Sequence, residues 1–327
     1  MVCQVQESIM DPGFTMEKVD CCPVCDDGKQ IALFWGQDDR YGYPGSFPVV
    51  KCPTCSLIYL GVRIHRDAVP DLYEKYYAPT LKGVEKKQLL AGWKALLKNT
   101  SLMSLYQFMI NSHDNLYRHL TLLPGKRVLD VGSGFTLEAH RILKKGGEWV
   151  GADVNSIVCL ALNNAGLKSF CGTLEEFHET NPVAFDYILL SQVLEHIYHP
   201  RQFLTVARSL LRPQGKILLS CPNYDSFLRH RYHRQWLHWH VPYHVAQYNR
   251  LTLTRLAELV GLRIDLFQTF TPSNWFYTQE QFAQGAKYGS RLVRKNRWKQ
   301  RLVDIRFAGQ NRLDRGDAIV ASLEVGP

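Results

Sequence analysis

The 327 residues, 46% of them hydrophobic, are enough for one large core and a small satellite domain, which excludes a disordered chain. There is no transmembrane-length apolar run, and Met1 to Asp20, carrying Asp11, Glu17 and Asp20, lacks the basic-then-apolar layout of a signal peptide. A cytoplasmic location is therefore expected, with the nine cysteines reduced or metal-bound. The formal charge of +9 would favour an anionic partner, but it is concentrated: residues 287, 291, 294, 295, 297, 299, 301 and 306 are Lys or Arg, and Asp304 is the one acid among them.

Cysteines come first along the chain. Cys22-Pro-Val-Cys25 and Cys52-Pro-Thr-Cys55 each place two thiols on one tight turn, and two such turns make a closed tetrahedral zinc site with a structural role. A redox dithiol or inert cysteines are the alternatives, and Cys21 could compete with Cys22 for the metal. Ile31 to Trp35, followed by Tyr-Gly-Tyr-Pro-Gly turns, reads as short strands of a zinc-ribbon-like domain over 1–70. The segment 71–123 shifts to a 3.6-residue period through Tyr73, Tyr76, Tyr77, Leu89, Leu90, Trp93, Leu96, Leu97, Leu102, Leu105, Phe108 and Met109, a helical connector or lid. Pro124-Gly125 opens the large domain, 124–327.

Strands and helices then alternate. Strands are expected over 128–131, 149–153, 169–172, 185–191 and 216–221, with helices over 137–143, 157–164 and 200–211 between them. A further helix is expected over 253–260, and two late strands over 263–269 and 318–325. This order predicts an α/β fold: a Rossmann-like, largely parallel sheet with helices on both faces and the ligand site at the strands' carboxyl ends. Inserted between the last two strands, the basic segment 274–312 interleaves Trp275, Phe276, Tyr277, Phe282, Leu292, Val293, Trp298, Leu302, Val303 and Phe307 with its cations. It reads as an amphipathic helix pair, either packed as a solvated basic face or meeting an anionic membrane or lipid-linked phosphate through 287–306.

The turn Asp130-Val-Gly132-Ser133-Gly134-Phe-Thr136 ends the first strand of that alternation, with Asp153 one βα unit later. Glycines there let backbone approach a nucleoside-bearing cofactor, and the helix that follows aims its amides at the same place. A nicotinamide dinucleotide would call for a third glycine three residues after the second, where Leu137 stands. The turn instead resembles motif I of class I S-adenosylmethionine-dependent methyltransferases. That likeness continues through Gly151-Ala-Asp153, Gly172-Thr-Leu-Glu-Glu176 and Phe185-Asp-Tyr-Ile-Leu-Leu-Ser-Gln-Val-Leu-Glu-His196. Thr136 departs from the pattern where glycine is frequent, which puts the methionine pocket in question.

The resemblance implies a methyl donor bound by Asp130, Gly132, Ser133, Gly134, Asp153, Val154, Thr173, Leu174, Ser191 and Gln192. Asp153 would take the ribose hydroxyls, Leu174 with Thr173 the adenine, and Ser191 with Gln192 the methionine side. A helix cap at Asp153 and core packing at Leu174 are the competing readings. No Asn/Asp-Pro-Pro-Tyr element follows the fourth strand, which argues against base methylation and leaves transfer to a hydroxyl or carbon.

Histidines crowd Arg229 to His244, where Trp236, Trp239 and Tyr243 would wall an acceptor while His238, His240 or His244 offers a base. His244 ranks first and His196 second, against the alternative of hydrogen-bonded loop histidines. A second metal on these histidines is not expected, because no acidic or cysteine partner sits at ligand spacing. The Trp236 to His244 segment resembles methyltransferases of saccharide and glycan pathways, and the N-terminal knuckles resemble the zinc-binding domain of sugar-modifying relatives. O-methylation of a saccharide or other small molecule is the resulting expectation. C-methylation of a nucleotide sugar, and a non-catalytic zinc-ribbon adaptor, are the alternatives; nucleic acid is disfavoured.

Overall fold

The structure, a computed structural model, describes residues 13–77, 116–121, 124–134, 138–181, 183–285 and 297–326. Five parallel strands form the centre of the molecule: β6 (Arg127–Val131), β7 (Glu148–Asp153), β8 (Ser169–Cys171), β9 (Phe185–Ser191) and β10 (Leu211–Pro222). β13 (Ala318–Val325) inserts antiparallel between β10 and β12 (Leu262–Phe270), giving the order β12-β13-β10-β9-β6-β7-β8. The reversal of order at β6 and β9 creates a crevice at their carboxyl ends. Asp186, beside the first residue of β9, fixes the opposite end: it accepts from Lys126 Nζ at 2.7 Å, Arg127 N at 2.8 Å and Arg212 Nη1 at 2.9 Å, tying three neighbouring strands together.

Short helices connect the strands. They are α2 (Glu138–Lys144), α3 (Ser156–Asn164), α4 (Leu174–Thr180), α5 (Pro200–Ser209) and α7 (Arg250–Leu259); α1 (Val69–Leu72) and α6 (Phe227–Tyr232) lie outside this series. Their ends are set by capping. Asn155 accepts from Ile157 N and Val158 N at the start of α3, Thr173 and Glu176 form a reciprocal capping box on α4, and Asn249 caps α7.

The N-terminal module is a small sheet of β2 (Ile31–Gln37), β3 (Ser46–Lys51) and β4 (Ile58–Leu60), beside a second pairing of β1 (Met16–Lys18) with β5 (Val62–Ile64). A two-residue strand from the large domain, β11 (Ala246–Gln247), completes the first sheet by pairing with Ile58 and Tyr59. Core packing is continuous across this seam: Cys22, Val24, Cys52, Leu57 and Tyr59 share a buried cluster with Leu190, Leu194, Leu219 and Leu253. Thr252 Oγ1 also donates to the Cys55 carbonyl at 3.2 Å.

Two helices, α8 (Ser273–Ala283) and α9 (Arg297–Arg312), occupy the basic insertion. Val303 and Phe307 anchor α9, while Trp298, Leu302 and Ile305 are 61–76% exposed on the same helix. The cations at 287, 291, 294 and 295 lie outside the described residues, as do the connector residues from Leu89 to Met109.

Candidate active site at the carboxyl edge of the sheet

The first strand ends in two glycines with left-handed backbone, Gly132 at φ 62° and Gly134 at φ 53°. At Gly132 the need is steric as well, since a Cβ would stand 2.7 Å from Val193 Cγ2. Around Gly134 no described residue comes within 4 Å of the position a Cβ would take. This cradle lies against the end of β7, where the Asp153 carboxylate accepts from Gly134 N and Asn155 N, each at 2.9 Å. Asp130 is buried and accepts from Trp149 Nε1 at 3.3 Å. Ser133 is buried, and its hydroxyl has no hydrogen-bond partner among the described residues.

Val154, next to Asp153, is 75% exposed, as an apolar platform for a planar ring would be. Thr173 is the cap of α4 with its side chain engaged in the capping box, while Leu174 is buried in the core. Any contact of Leu174 with a ligand thus falls to its backbone. Ser191 ends β9 and Gln192 follows it, both within 3.4 Å of Ser220 Oγ, and Gln192 has φ 55°. Phe135, Thr136 and Leu137 lie outside the described residues. The cradle suits a nucleoside-bearing donor: open glycine backbone, a carboxylate at a strand end and an exposed apolar side chain beside it.

Directly after Val193 comes a 3-10 turn, Leu194–His196, carrying Glu195 and His196. The chain from 236 to 248 folds back onto this turn. Val245 N donates to the Glu195 carbonyl at 2.9 Å, and the His196 and His244 rings meet edge-on at 4.8 Å. His196 Nδ1 lies 2.9 Å from the Tyr243 carbonyl and His244 Nδ1 lies 2.9 Å from the His238 carbonyl. A carbonyl only accepts, so each Nδ1 carries the proton and each Nε2 keeps its lone pair. Burial pushes both imidazoles below the usual histidine range, His244 strongly. Burial also lifts the Glu195 carboxyl to about 8. Tyr73 Oη is 3.4 Å from His196 Nδ1, and the Tyr41 and Tyr73 rings pack against Tyr243.

Of the histidines singled out in the sequence, His196 and His244 meet, His240 meets His244 edge-on at 4.6 Å, and His238 is turned to Asp317 at 3.2 Å. Trp236 is fully buried, donating Nε1 to Asp317 Oδ1 at 2.9 Å. It belongs to the core and walls no acceptor. The expectation that no acidic partner sits beside the histidines is overturned: Glu195, His196 and His244 each offer a ligand atom, all within 4.8 Å of one another. Glu195 is adjacent to His196 in sequence, but nothing in the sequence shows that His244 returns to the pair.

Cys22, Cys25, Cys52 and Cys55 form the other such cluster among the described residues, again with all ligand atoms within 4.8 Å of one another. Both knuckles are built alike. Asp26 N donates to the Cys22 carbonyl and Ser56 N to the Cys52 carbonyl, each at 3.0 Å, and Asp26 and Ser56 take φ of 59° and 63°. Contact with Cys55 together with burial raises the Cys22 thiol well above its usual range, and burial pushes Cys25 up to about 11. A closed, buried set of four sulfurs suits a tetrahedral cation that would hold them as thiolates. Cys21 is exposed and outside the set.

Residues 107–266 match a family model described as a methyltransferase domain. Residues 107–266 are thus similar to a methyltransferase domain, and the sheet around them has a Rossmann-like strand order. Among similar proteins is the ubiquinone biosynthesis O-methyltransferase of Neisseria meningitidis serogroup C, 31% identical over 109 residues, which are 31% of this chain and 46% of that protein. The enzyme of the same name from Dechloromonas aromatica is 33% identical over 107 residues, 31% of this chain and 46% of its own length. The chain thus spans less than half the length of these relatives. A methyltransferase from Archaeoglobus fulgidus superposes with a TM-score of 0.45 at 19% identity, covering 68% of this chain and 98% of that one.

Proposed function

We propose that this chain is an O-methyltransferase for a small molecule, with the glycine cradle at Gly132–Gly134 and Asp153 holding the donor and the Glu195–His196–His244 cluster activating the acceptor. The observation that carries this reading is the closeness of Gly132 to Val193, whose Cγ2 lies 2.7 Å from where a Gly132 Cβ would stand, with Glu195 two residues further along the chain. Bound S-adenosylmethionine supplies an electrophilic sulfonium methyl: its S–CH3 bond breaks as the acceptor's O–CH3 bond forms, leaving S-adenosylhomocysteine and releasing the hydroxyl proton.

The protein's own contribution is alignment and charge. Asp153, when a ribose enters, exchanges its contact with Gly134 N for the sugar hydroxyls, and a charge-assisted pair of such bonds is the stronger kind. Backbone amides of the cradle and of the α4 N-terminus orient the remainder. At the acceptor side the Nε2 lone pairs of His196 and His244 face the task of drawing off the hydroxyl proton. Tyr41, Tyr73 and Tyr243 around them suit a ring-shaped acceptor. A saccharide or glycan-pathway intermediate is the narrower reading, in line with the sequence resemblance. The O-methyltransferase names of the relatives support oxygen over carbon, so C-methylation of a nucleotide sugar ranks second.

The four-cysteine cluster is read as a structural zinc site, supported by the twin knuckle geometry and the closed sulfur set. A cytoplasmic location is kept as part of this reading; no helix among the described residues is long and apolar enough to cross a membrane. The exposed Trp298, Leu302 and Ile305, flanked by Lys299, Arg301 and Arg306, support contact with an anionic lipid surface. Incubation with methyl-labelled donor and a pool of sugars and phenols tests the catalytic reading. A labelled product that disappears in Asp153→Ala is expected, and no transfer to any hydroxyl compound despite donor binding would favour the non-catalytic adaptor.

A further inference from the structure

Glu195 is 1% exposed, and neither of its carboxylate oxygens has a hydrogen-bond partner among the described residues. It takes part in no ion pair among the described residues. A buried carboxyl whose oxygens are both unsatisfied is costly in either protonation state, and coordination of a cation would satisfy it. Beside it, His196 and His244 each donate Nδ1–H to a backbone carbonyl at 2.9 Å, which fixes ring orientation and leaves Nε2 as a lone-pair donor. Metal-ligating histidines are characteristically held this way.

We propose that Glu195, His196 and His244 form a second metal site, distinct from the four cysteines, that takes one divalent first-row cation such as Mn2+, Co2+ or Zn2+. Two imidazoles and one carboxylate are a mixed nitrogen and oxygen set with room for further ligands, unlike the closed sulfur set of the knuckles. The open positions fit a pair of neighbouring oxygens on the acceptor, a vicinal diol or catechol. This function for the site rests on the O-methyltransferase reading. With the cation in place, His196 and His244 act as ligands, and the acceptor hydroxyl loses its proton to water because coordination lowers its pKa. The methyl transfer itself is unchanged: oxygen gains the carbon that sulfur gives up. The cradle is near in the fold, since Val193, two residues before Glu195, has its Cγ2 2.7 Å from where a Gly132 Cβ would stand.

The test uses the full-length protein with its cysteine site filled with zinc, titrated with Mn2+ and followed by electron paramagnetic resonance and by thermal melting. One Mn2+ per chain is expected, with a rise in Tm. Glu195→Gln and His244→Ala should each weaken Mn2+ binding at least tenfold while leaving S-adenosylhomocysteine affinity within about twofold. Metal-free Glu195→Gln should melt no lower than wild type, because the amide removes a buried ionisable group. Absence of Mn2+ and Co2+ binding by the wild type, or binding that both variants retain, overturns the proposal without reference to any variant's folding. Mn2+ binding with no S-adenosylhomocysteine binding would keep the metal site and overturn the methyltransferase reading instead.

Discussion

Gly132 has two reasons to be glycine, a φ of 62° and a neighbour, Val193 Cγ2, 2.7 Å from where a Cβ would be. Gly134 shares only the first, at φ 53° with no described residue within 4 Å of a Cβ there. Gly134→Ala should therefore lose about 1–2 kcal/mol from left-handed strain alone, whereas Gly132→Ala should lose more and be partly restored by Val193→Ala. Chemical denaturation of the four variants checks this; equal losses at both glycines, with no recovery in the double variant, would contradict it. The resemblance pointed to both glycines because the motif is contiguous. The partner Val193 was not legible, since its approach depends on β9 pairing beside β6. For the same reason Glu195 and His196 were visible as neighbours, but the closure of His244 onto them required a fold-back of the chain that no local pattern encodes.

Asp186 shows how the elements of the sheet are fastened. Its burial works against ionisation, yet Arg127 N and the cations of Lys126 and Arg212 outweigh that and hold its carboxyl below the usual aspartate value of 3.8. A depressed carboxyl stabilises the fold above its unfolded pKa, and the contribution is lost as pH falls through the folded value. Asp186→Asn should be less stable than wild type by about 1–2 kcal/mol near pH 7, with the gap closing as pH falls below the usual aspartate range. Urea midpoints across pH measure it, and a gap independent of pH would contradict the account.

Element boundaries were readable where hydrophobic runs were cleanly bounded. β9 and β13 lie over 185–191 and 318–325 as the pattern implies, and β6 and β7 begin one residue earlier than expected. β10 begins earlier than its apolar run because Leu211 pairs with Phe185 before an irregularity and a regular ladder from Lys216. β11 escaped notice: two residues have no periodicity, and only the hairpin edge at Ile58 and Tyr59 makes them a strand.

At the scale of the whole molecule, the cysteine module and the methyltransferase sheet share one core, so the knuckles should support more than themselves. Cys52 is buried at 0% exposure among residues that reach Leu253 of α7. If the four cysteines hold zinc as proposed, a chelator, or Cys52→Ser, should lower the Tm of the entire chain by about 10 °C in a single transition. Calorimetry resolving two independent transitions would show instead that the module is thermally separate.

On the proposed reading, the crevice beside β6 and β7 binds S-adenosylmethionine with Asp153 as its ribose anchor. Isothermal titration with S-adenosylhomocysteine measures this directly. The account predicts one site per wild-type chain and at least a tenfold loss of affinity in Asp153→Ala, about 1.4 kcal/mol or more. No binding by the wild type, or equal binding by the variant, would contradict it.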